Sequence, residues 1–134
     1  MRNKQSTFCY QWFDEVWNKG DENAIDRLMS EAATANGVVA PEQPVGAAGF
    51  KIFFRDFRSQ FHDINVEVED VISEDDMQVA RTSVSAVHTP TGKPVSFAGM
   101  AMVKLADGKI IEAWNNYDFL AMYQQIGHKL VPAE

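Results

Sequence analysis

Residues 95–117, which read VSFAGMAMVKLADGKIIEAWNNY, contain the pattern that decides the fold. In residues 95–105 an apolar or small side chain recurs at every second position, which is the period of a β-strand with one buried face. The dipeptide Asp107-Gly108 favours a tight hairpin turn, and residues 110–117 have the composition of another strand. The stretch therefore predicts a hairpin of two long antiparallel strands.

Two further strands are predicted immediately before this hairpin. Residues 64–69 alternate apolar with polar side chains, the segment SEDDM makes a turn, and residues 77–88 form the next strand. The segment TPTGK then turns the chain into the hairpin. These signals together predict four consecutive antiparallel strands.

Helices are predicted in the first half of the chain. Residues 6–18 carry apolar side chains at helical spacing, and Gly20 is placed to end that helix. Asp21 can cap a second, short helix that runs through Leu28 and Met29. The helices thus precede the sheet along the chain.

The segment between the second helix and residue 46 is predicted to be loop, because prolines and glycines surround a short apolar run. One brief strand is expected there, near Val38–Val39. The clearest helix covers residues 46–61, where the following phenylalanines share one face: Phe50, Phe53, Phe54, Phe57 and Phe61. This aromatic stripe is typical of packing against a sheet, and a cofactor-binding role is the less favoured alternative.

These elements predict an α+β fold, a single domain over residues 1–134 in which a curved antiparallel sheet wraps around the N-terminal helices. The opposite face of the third predicted strand carries Met100 and Met102 beside Ser96 and Ala98. That face is more apolar than a face in water needs to be. A homodimer formed through the sheet is therefore expected.

The composition restricts the classes of function. A net charge of −7 offers no attraction for phosphate backbones or anionic lipid, so neither nucleic-acid binding nor membrane binding is expected. The single cysteine, Cys9, suits a reducing compartment and a small core residue, and residues 1–17 contain no apolar run of signal-peptide length. We expect a cytoplasmic protein. Three scattered histidines give no metal-ligand spacing, so no metal or other cofactor is expected.

Five short words in the chain carry a family resemblance. They are EVWNKGD at 15–21, FHD at 61–63, PTGK at 90–93, DGKIIEAW at 107–114 and YDFLAMYQQIG at 117–127. In this order they are similar to those of the SnoaL-like polyketide cyclases, within the nuclear transport factor 2-like superfamily, whose members include ketosteroid isomerases. The words run almost from end to end of the chain.

The resemblance implies a cone-shaped α+β fold, a deep apolar pocket between the sheet and the helices, and commonly a homodimer. It also implies that a small apolar or aromatic ligand is the partner, and that the chemistry uses no metal or cofactor. In the cyclases the aspartate of the last strand is the acid–base residue of an intramolecular aldol condensation, and by motif position this is Asp118. The connection AVHTPTGK is shorter than in family members, which implies a shorter or more open pocket rim.

Asp118 has two interpretations. As a general base it would abstract a proton beside a carbonyl group, which needs an apolar pocket that raises the pKa of the carboxyl group. As a helix cap it would accept a hydrogen bond from the backbone of Leu120 or Ala121, which would make it a poorer base. Strict strand alternation places Trp114, Asn116 and Asp118 on one face, from where all three would line the pocket.

Four more residues are candidates for the site. His88 could polarise a carbonyl group or relay a proton, or it could be an exposed histidine at the rim. Arg81 could contact a substrate oxygen, pair with an acid or face the sheet edge, and strict alternation puts it on the face opposite His88. Trp12 and Phe54, with Trp114, could form an aromatic substrate-binding wall, although packing in the core is the favoured explanation for each.

Two classes of function follow from the sequence. The first is a cofactor-independent enzyme that acts on an apolar carbonyl compound by aldol-type cyclisation or isomerisation, with Asp118 as the base and His88 in support. The alternative is a non-catalytic module of the same fold that binds a ligand or dimerises. Hydration of an epoxide or a dehydration is a weaker third possibility.

Overall fold

The computed structural model of the chain describes residues 3–39, 42 and 44–133. Its sheet has the strand order β1-β5-β4-β3-β2. The strands are β1 (Met29–Asn36), β2 (Phe61–Glu74), β3 (Met77–His88), β4 (Pro94–Ala106) and β5 (Lys109–Tyr117). Strands β2 to β5 pair antiparallel in chain order, which confirms the predicted meander, and β1 pairs parallel with β5.

Strand β1 differs from the prediction. The second helix ends at Leu28 and not at Met29, the strand starts directly after it, and Val38 and Val39 lie in the turn that follows the strand. Its inward residues Ala33 and Ala35 are buried. Because they are alanines, the alternation gave no signal of a strand, and the strand exists through its pairing with β5.

Four α-helices accompany the sheet in the described residues: α1 (Phe8–Trp12), α2 (Asn23–Leu28), α3 (Gly46–Gln60) and α4 (Phe119–Gln125). Helix α1 is capped by Thr7, whose hydroxyl accepts from the backbone N–H of Tyr10. It continues as a π-helical segment, Phe13–Asn18, and Gly20 follows with a φ of 66°. The predicted aromatic helix is α3, and it is confirmed.

The helices cover one face of the sheet and form the core with it. Trp17 of the π-helical segment lies among the phenylalanines of α3, with ring centroids 5.2 Å from Phe54 and 5.7 Å from Phe57. Cys9 is buried in the same core, as expected, and burial raises the pKa of its thiol to about 12. The predicted α+β architecture, with a curved and mostly antiparallel sheet around helices, is confirmed.

The other face of the sheet is open in this chain. Met100 and Met102 are 50% and 39% exposed, as the alternation predicted. His62 and His128 are exposed. Of the helices that the structure describes, none is long and apolar enough to cross a membrane.

Candidate functional site

A β-bulge in β5 decides which of its side chains face the helices. The register of β5 against β4 shifts by one residue at Ile111. Because side chains alternate with a period of two, one extra residue exchanges the faces of every residue after it. Ile110 before the bulge and Ala113 after it are accordingly both buried, and Asn115 and Tyr117 continue the inner face.

This bulge makes the predicted placement of Trp114, Asn116 and Asp118 wrong. Unbroken alternation from Ile110 would put all three on the inner face, but none of them lines the cavity that the structure describes. Asn116 and Asp118 are exposed, and Trp114 is partly buried on the outer side. The sequence contained a sign of the bulge, because unbroken alternation from Ile110 would also have turned the charged side chain of Glu112 toward the core.

Asp118 occupies the cap position of helix α4. Its Oδ1 accepts from the backbone N–H of Ala121 at 3.0 Å, and its own backbone N–H donates to the carbonyl oxygen of Ala98 at 3.0 Å. The helix-cap interpretation therefore describes its structure. Asp118 is exposed and is not among the described residues that line the cavity, so the geometry gives no support to Asp118 as the base.

A cavity lies between the inner face of the sheet, the π-helical segment and α3. Nine of its fourteen lining residues are aromatic, with Trp12, Phe13 and Trp17 on one side and Phe50, Phe53 and Phe57 on the next. The cavity has a volume of about 60 Å³. Counting the gaps between its lining atoms and its open mouth, the empty space is about 500 Å³. The interior is thus narrow, and a larger ligand must enter through the mouth or rotate ring side chains aside.

The walls of this cavity are apolar with two exceptions that carry oxygen, Asn115 and Tyr117. None of the described residues that line it has a carboxylate, an imidazole or a cationic side chain. Within the described ranges, no three His, Cys, Asp or Glu side chains come together as metal ligands would. The polar groups of the described wall are therefore one amide, one phenol and the indole N–H groups of Trp12 and Trp17.

Tyr117 crosses the sheet to reach its hydrogen-bond partner. Thr82, Gly99 and Tyr117 are direct neighbours in register on β3, β4 and β5. The Tyr117 ring lies over Gly99, where a Cβ atom would collide with the ring, and its hydroxyl meets that of Thr82 at 2.8 Å. Gly99 is therefore needed for close approach, as glycines within strands often are.

The two hydroxyl groups of Tyr117 and Thr82 form one hydrogen bond with each other, so only one of their two protons is used in it. Thr82 is fully buried and bonds to no other described group, so donation from Tyr117 to Thr82 would leave the proton of Thr82 without an acceptor. Donation from Thr82 to Tyr117 is favoured because it leaves the unpaired proton on the residue that lines the cavity. Burial raises the pKa of Tyr117 to about 12, so this proton stays in place at neutral pH.

Asn115 joins the cavity to strand β1. Its Nδ2 donates to the carbonyl oxygen of Asn36 at 3.0 Å, and the Nδ2 of Asn36 donates to the carbonyl oxygen of Ala113 at 3.2 Å. These reciprocal bonds hold β1 against the end of β5. Asn115 also lines a smaller inner chamber that reaches Cys9 and Met29.

His88 and Arg81 lie outside the cavity, contrary to the prediction that they take part in the site. His88 bonds through Nδ1 to Thr91 at 2.8 Å, within its own turn. Arg81 is exposed on the outer face and pairs with Asp70, with the closest N···O distance 2.6 Å. The prediction that strict alternation separates the two residues is correct, and no bulge in β3 brings them together.

The aromatic candidates divide in the same way. Trp12 lies in the cavity wall, where it was expected. Phe54 does not line the cavity, because it packs behind it against Trp17, with Arg58 5.4 Å above its ring. Sequence reasoning missed Tyr117 and Asn115, although Tyr117 begins the family-like segment 117–127 and Asn115 lies two residues before it.

The fold occurs in several solved structures. TsrD from Streptomyces laurentii matches with a TM-score of 0.79 and 20% identity, over 95% of this chain and 98% of that chain. IdmH from Streptomyces antibioticus matches with a TM-score of 0.77 and 23% identity, over 94% and 100%. At these identities the likeness shows a shared fold.

A protein from Bacillus cereus ATCC 10987, described provisionally as a polyketide cyclase, is 28% identical, with a TM-score of 0.78 over 95% of this chain and 85% of that one. Comparison with curated proteins gave no significant match. The family model for SnoaL-like polyketide cyclases matches residues 7–126, which include every element that lines the cavity. The chain therefore belongs to the SnoaL-like polyketide cyclase family.

Proposed function

We propose that this protein binds a flat, mainly apolar carbonyl compound in the aromatic cavity and promotes its cofactor-independent ring closure by an aldol-type reaction. The observation that carries the proposal is the Tyr117 hydroxyl, which belongs to a residue of the mainly apolar wall and lies 2.8 Å from the buried hydroxyl of Thr82. Membership of the family supports a cyclase or isomerase role in general. The acid–base role predicted for Asp118 is replaced here by hydrogen bonding from Tyr117.

The Tyr117 hydroxyl suits the oxygen of a reacting carbonyl group. In an aldol-type closure that oxygen gains negative charge as the new carbon–carbon bond forms, and a donor fixed in an apolar site stabilises the charge without reorganising. Tyr117 is fixed because its ring rests on Gly99 and its oxygen accepts from Thr82. A second hydroxyl that donates to the first also makes it a better donor.

The absence of a base among the described lining residues restricts the substrate. A methylene group between two carbonyl groups forms an enol in water without an enzyme base, and the enol carbon can attack a third carbonyl. One carbon–carbon bond forms, the enol gives up a proton, the carbonyl oxygen takes one up, and no atom is lost. The cavity contributes by holding the two reacting carbons together, which lowers the entropic part of the barrier.

The test uses a synthetic aryl β-diketone with a pendant ketone that can close a six-membered ring, with product followed by chromatography. Tyr117→Phe should lower kcat on the order of 100-fold, the usual effect of removing one such donor. Asp118→Asn should leave kcat within about twofold, because its side chain lies outside the cavity. Full turnover by Tyr117→Phe, or loss of turnover in Asp118→Asn, would overturn the proposal.

A second candidate function is binding without catalysis. It is favoured by the same lack of a carboxylate or imidazole among the described residues of the wall. Trp12 and Trp17 line the cavity, so quenching of tryptophan fluorescence reports ligand entry. Saturable quenching by the diketone with no product formed over the uncatalysed rate would select this function over the first.

We propose further that a second copy of the chain covers the outer sheet face. Met100 and Met102 are exposed there, and Met102 is in register with the partly buried Trp114. Flexible methionines pack well against a copy of themselves. Light scattering should give twice the chain mass of 15.0 kDa, and Met100→Lys with Met102→Lys should halve it. Ile52→Lys, at a residue 40% exposed on helix α3 and away from the outer sheet face, is the control.

A further inference from the structure

Asn115 lines the cavity, and its side chain has a hydrogen-bond acceptor that the proposed chemistry does not use. Its Nδ2 faces the carbonyl oxygen of Asn36 at 3.0 Å. A backbone carbonyl can only accept, so the nitrogen and not the oxygen of the amide must face it, and this settles the orientation of the side chain. The Oδ1 of Asn115 is left without a donor among the described residues.

We infer that Asn115 determines specificity by accepting a hydrogen bond from a hydroxyl group of the ligand. The inference rests on the proposed function and extends it, because it names a second polar group that the carbonyl compound must carry. An enol or phenol hydroxyl fits this role, whereas an ether does not. An amide oxygen is too weak a base to remove the proton, so Asn115 binds and selects without acting as a general base.

The positions of the two polar residues give the ligand a direction. Asn115 and Tyr117 are two residues apart on β5, so their Cα atoms are about 6.6 Å apart. Tyr117 reaches across β4 toward β3, while Asn115 is held toward β1 by its bond to Asn36. A ligand between them would place its carbonyl group toward β3 and its hydroxyl group toward β1, with its rings against the phenylalanines of α3.

The experiment measures dissociation constants for two matched pairs of ketones by tryptophan fluorescence. One pair is 4-hydroxyacetophenone and its methyl ether, and the other is 6-hydroxy-2-acetylnaphthalene and its methyl ether. The two pairs cover two spacings between the hydroxyl and carbonyl groups. The wild type should prefer the hydroxyl compound of at least one pair by roughly three- to tenfold, the usual worth of one hydrogen bond.

Two variants isolate the acceptor. Asn115→Leu and Asn115→Asp both lose the bond to Asn36, but only the aspartate keeps an acceptor oxygen. We expect the leucine variant to bind hydroxyl compound and ether equally, and the aspartate variant to keep the preference. A wild type without preference in either pair overturns the inference, even if the leucine variant does not fold. A preference that survives in Asn115→Leu overturns it as well.

The result also separates this inference from the proposed function. Of the two hydrogen bonds, the ethers can form only the one with Tyr117, so Tyr117→Phe should weaken their binding by roughly three- to tenfold. If Tyr117→Phe weakens binding of the ethers as expected, but the wild type binds the hydroxyl compounds no more tightly than the ethers, the inference on Asn115 fails and the proposed function stands. If no ketone of either series binds, both fail.

Discussion

The hydrogen bond between Tyr117 and Thr82 can be tested by a double-mutant cycle on stability. In Tyr117→Phe the ring remains over Gly99, but the buried hydroxyl of Thr82 loses its partner. Leaving a buried hydroxyl unpaired costs about 1–3 kcal/mol of unfolding free energy. For a domain of this size that is a loss in Tm of about 4 °C per kcal/mol.

The second arm of the cycle removes the other partner. Thr82→Val takes the donor away from the Tyr117 oxygen but creates no new unpaired proton, so its cost should be smaller, about 0.5–1.5 kcal/mol. In the double variant both polar groups are gone and the shapes are kept, so the cost should be well below the sum of the two single costs. We expect a coupling energy of about 1 kcal/mol, measured by urea unfolding.

Tyr123→Phe serves as the control, because Tyr123 is 44% exposed on helix α4. Its cost should stay within about 0.5 kcal/mol. Additive costs for Tyr117→Phe and Thr82→Val, within the usual error of about 0.5 kcal/mol, would refute the reasoning. Turnover adds an independent reading, since Thr82→Val keeps the donor to the substrate whereas the double variant does not.

Three further predictions concern neighbouring residues. Gly99→Ala should displace the Tyr117 ring and lower the free energy of unfolding by about 1–3 kcal/mol, measured by thermal unfolding. It should also remove most of the ligand affinity, and an unchanged affinity would contradict the close approach of the ring to Gly99. Asp118→Ala should lower the free energy of unfolding by about 1 kcal/mol, whereas Asp118→Asn should hardly change it, because asparagine also caps helices. Equal losses in the two variants would refute the helix cap. Tyr117, whose pKa is about 12 in the fold against an ordinary 10, contributes stability that is complete below pH 10 and lost as the pH rises to 12. Wild type should therefore lose up to about 2.7 kcal/mol more than Tyr117→Phe over that interval, and parallel losses in alkaline urea titrations would contradict the burial of its hydroxyl.

Much of the fold could be predicted from the sequence because it is set by local periodicity. The spacing of large apolar side chains predicts both the strands from residue 64 to residue 117 and the aromatic helix α3. Strand β1 could not be predicted in this way. Its inward residues are alanines, and it is a strand because β5 offers it an edge.

The site was harder to predict because one extra residue in β5 exchanges the side chains that face the cavity with those that face away from it. The prediction chose the right end of β5, but the bulge at Ile111 turns Asn115 and Tyr117 inward in place of Trp114 and Asn116. A bulge depends on the pairing of two strands and leaves little trace in the periodicity of one. The reach of Tyr117 over Gly99 to Thr82 likewise joins three strands, and no spacing along the chain encodes it.

The central claim is that this SnoaL-like protein works through the aromatic cavity, with Tyr117 as the donor to a carbonyl oxygen. The most direct measurement is a crystal structure of the complex with 6-hydroxy-2-acetylnaphthalene. The account predicts that the ligand lies among the phenylalanines of α3, with its carbonyl oxygen about 2.7 Å from the Tyr117 hydroxyl oxygen. A ligand bound beside the carboxylate of Asp118, with the cavity empty, would contradict it.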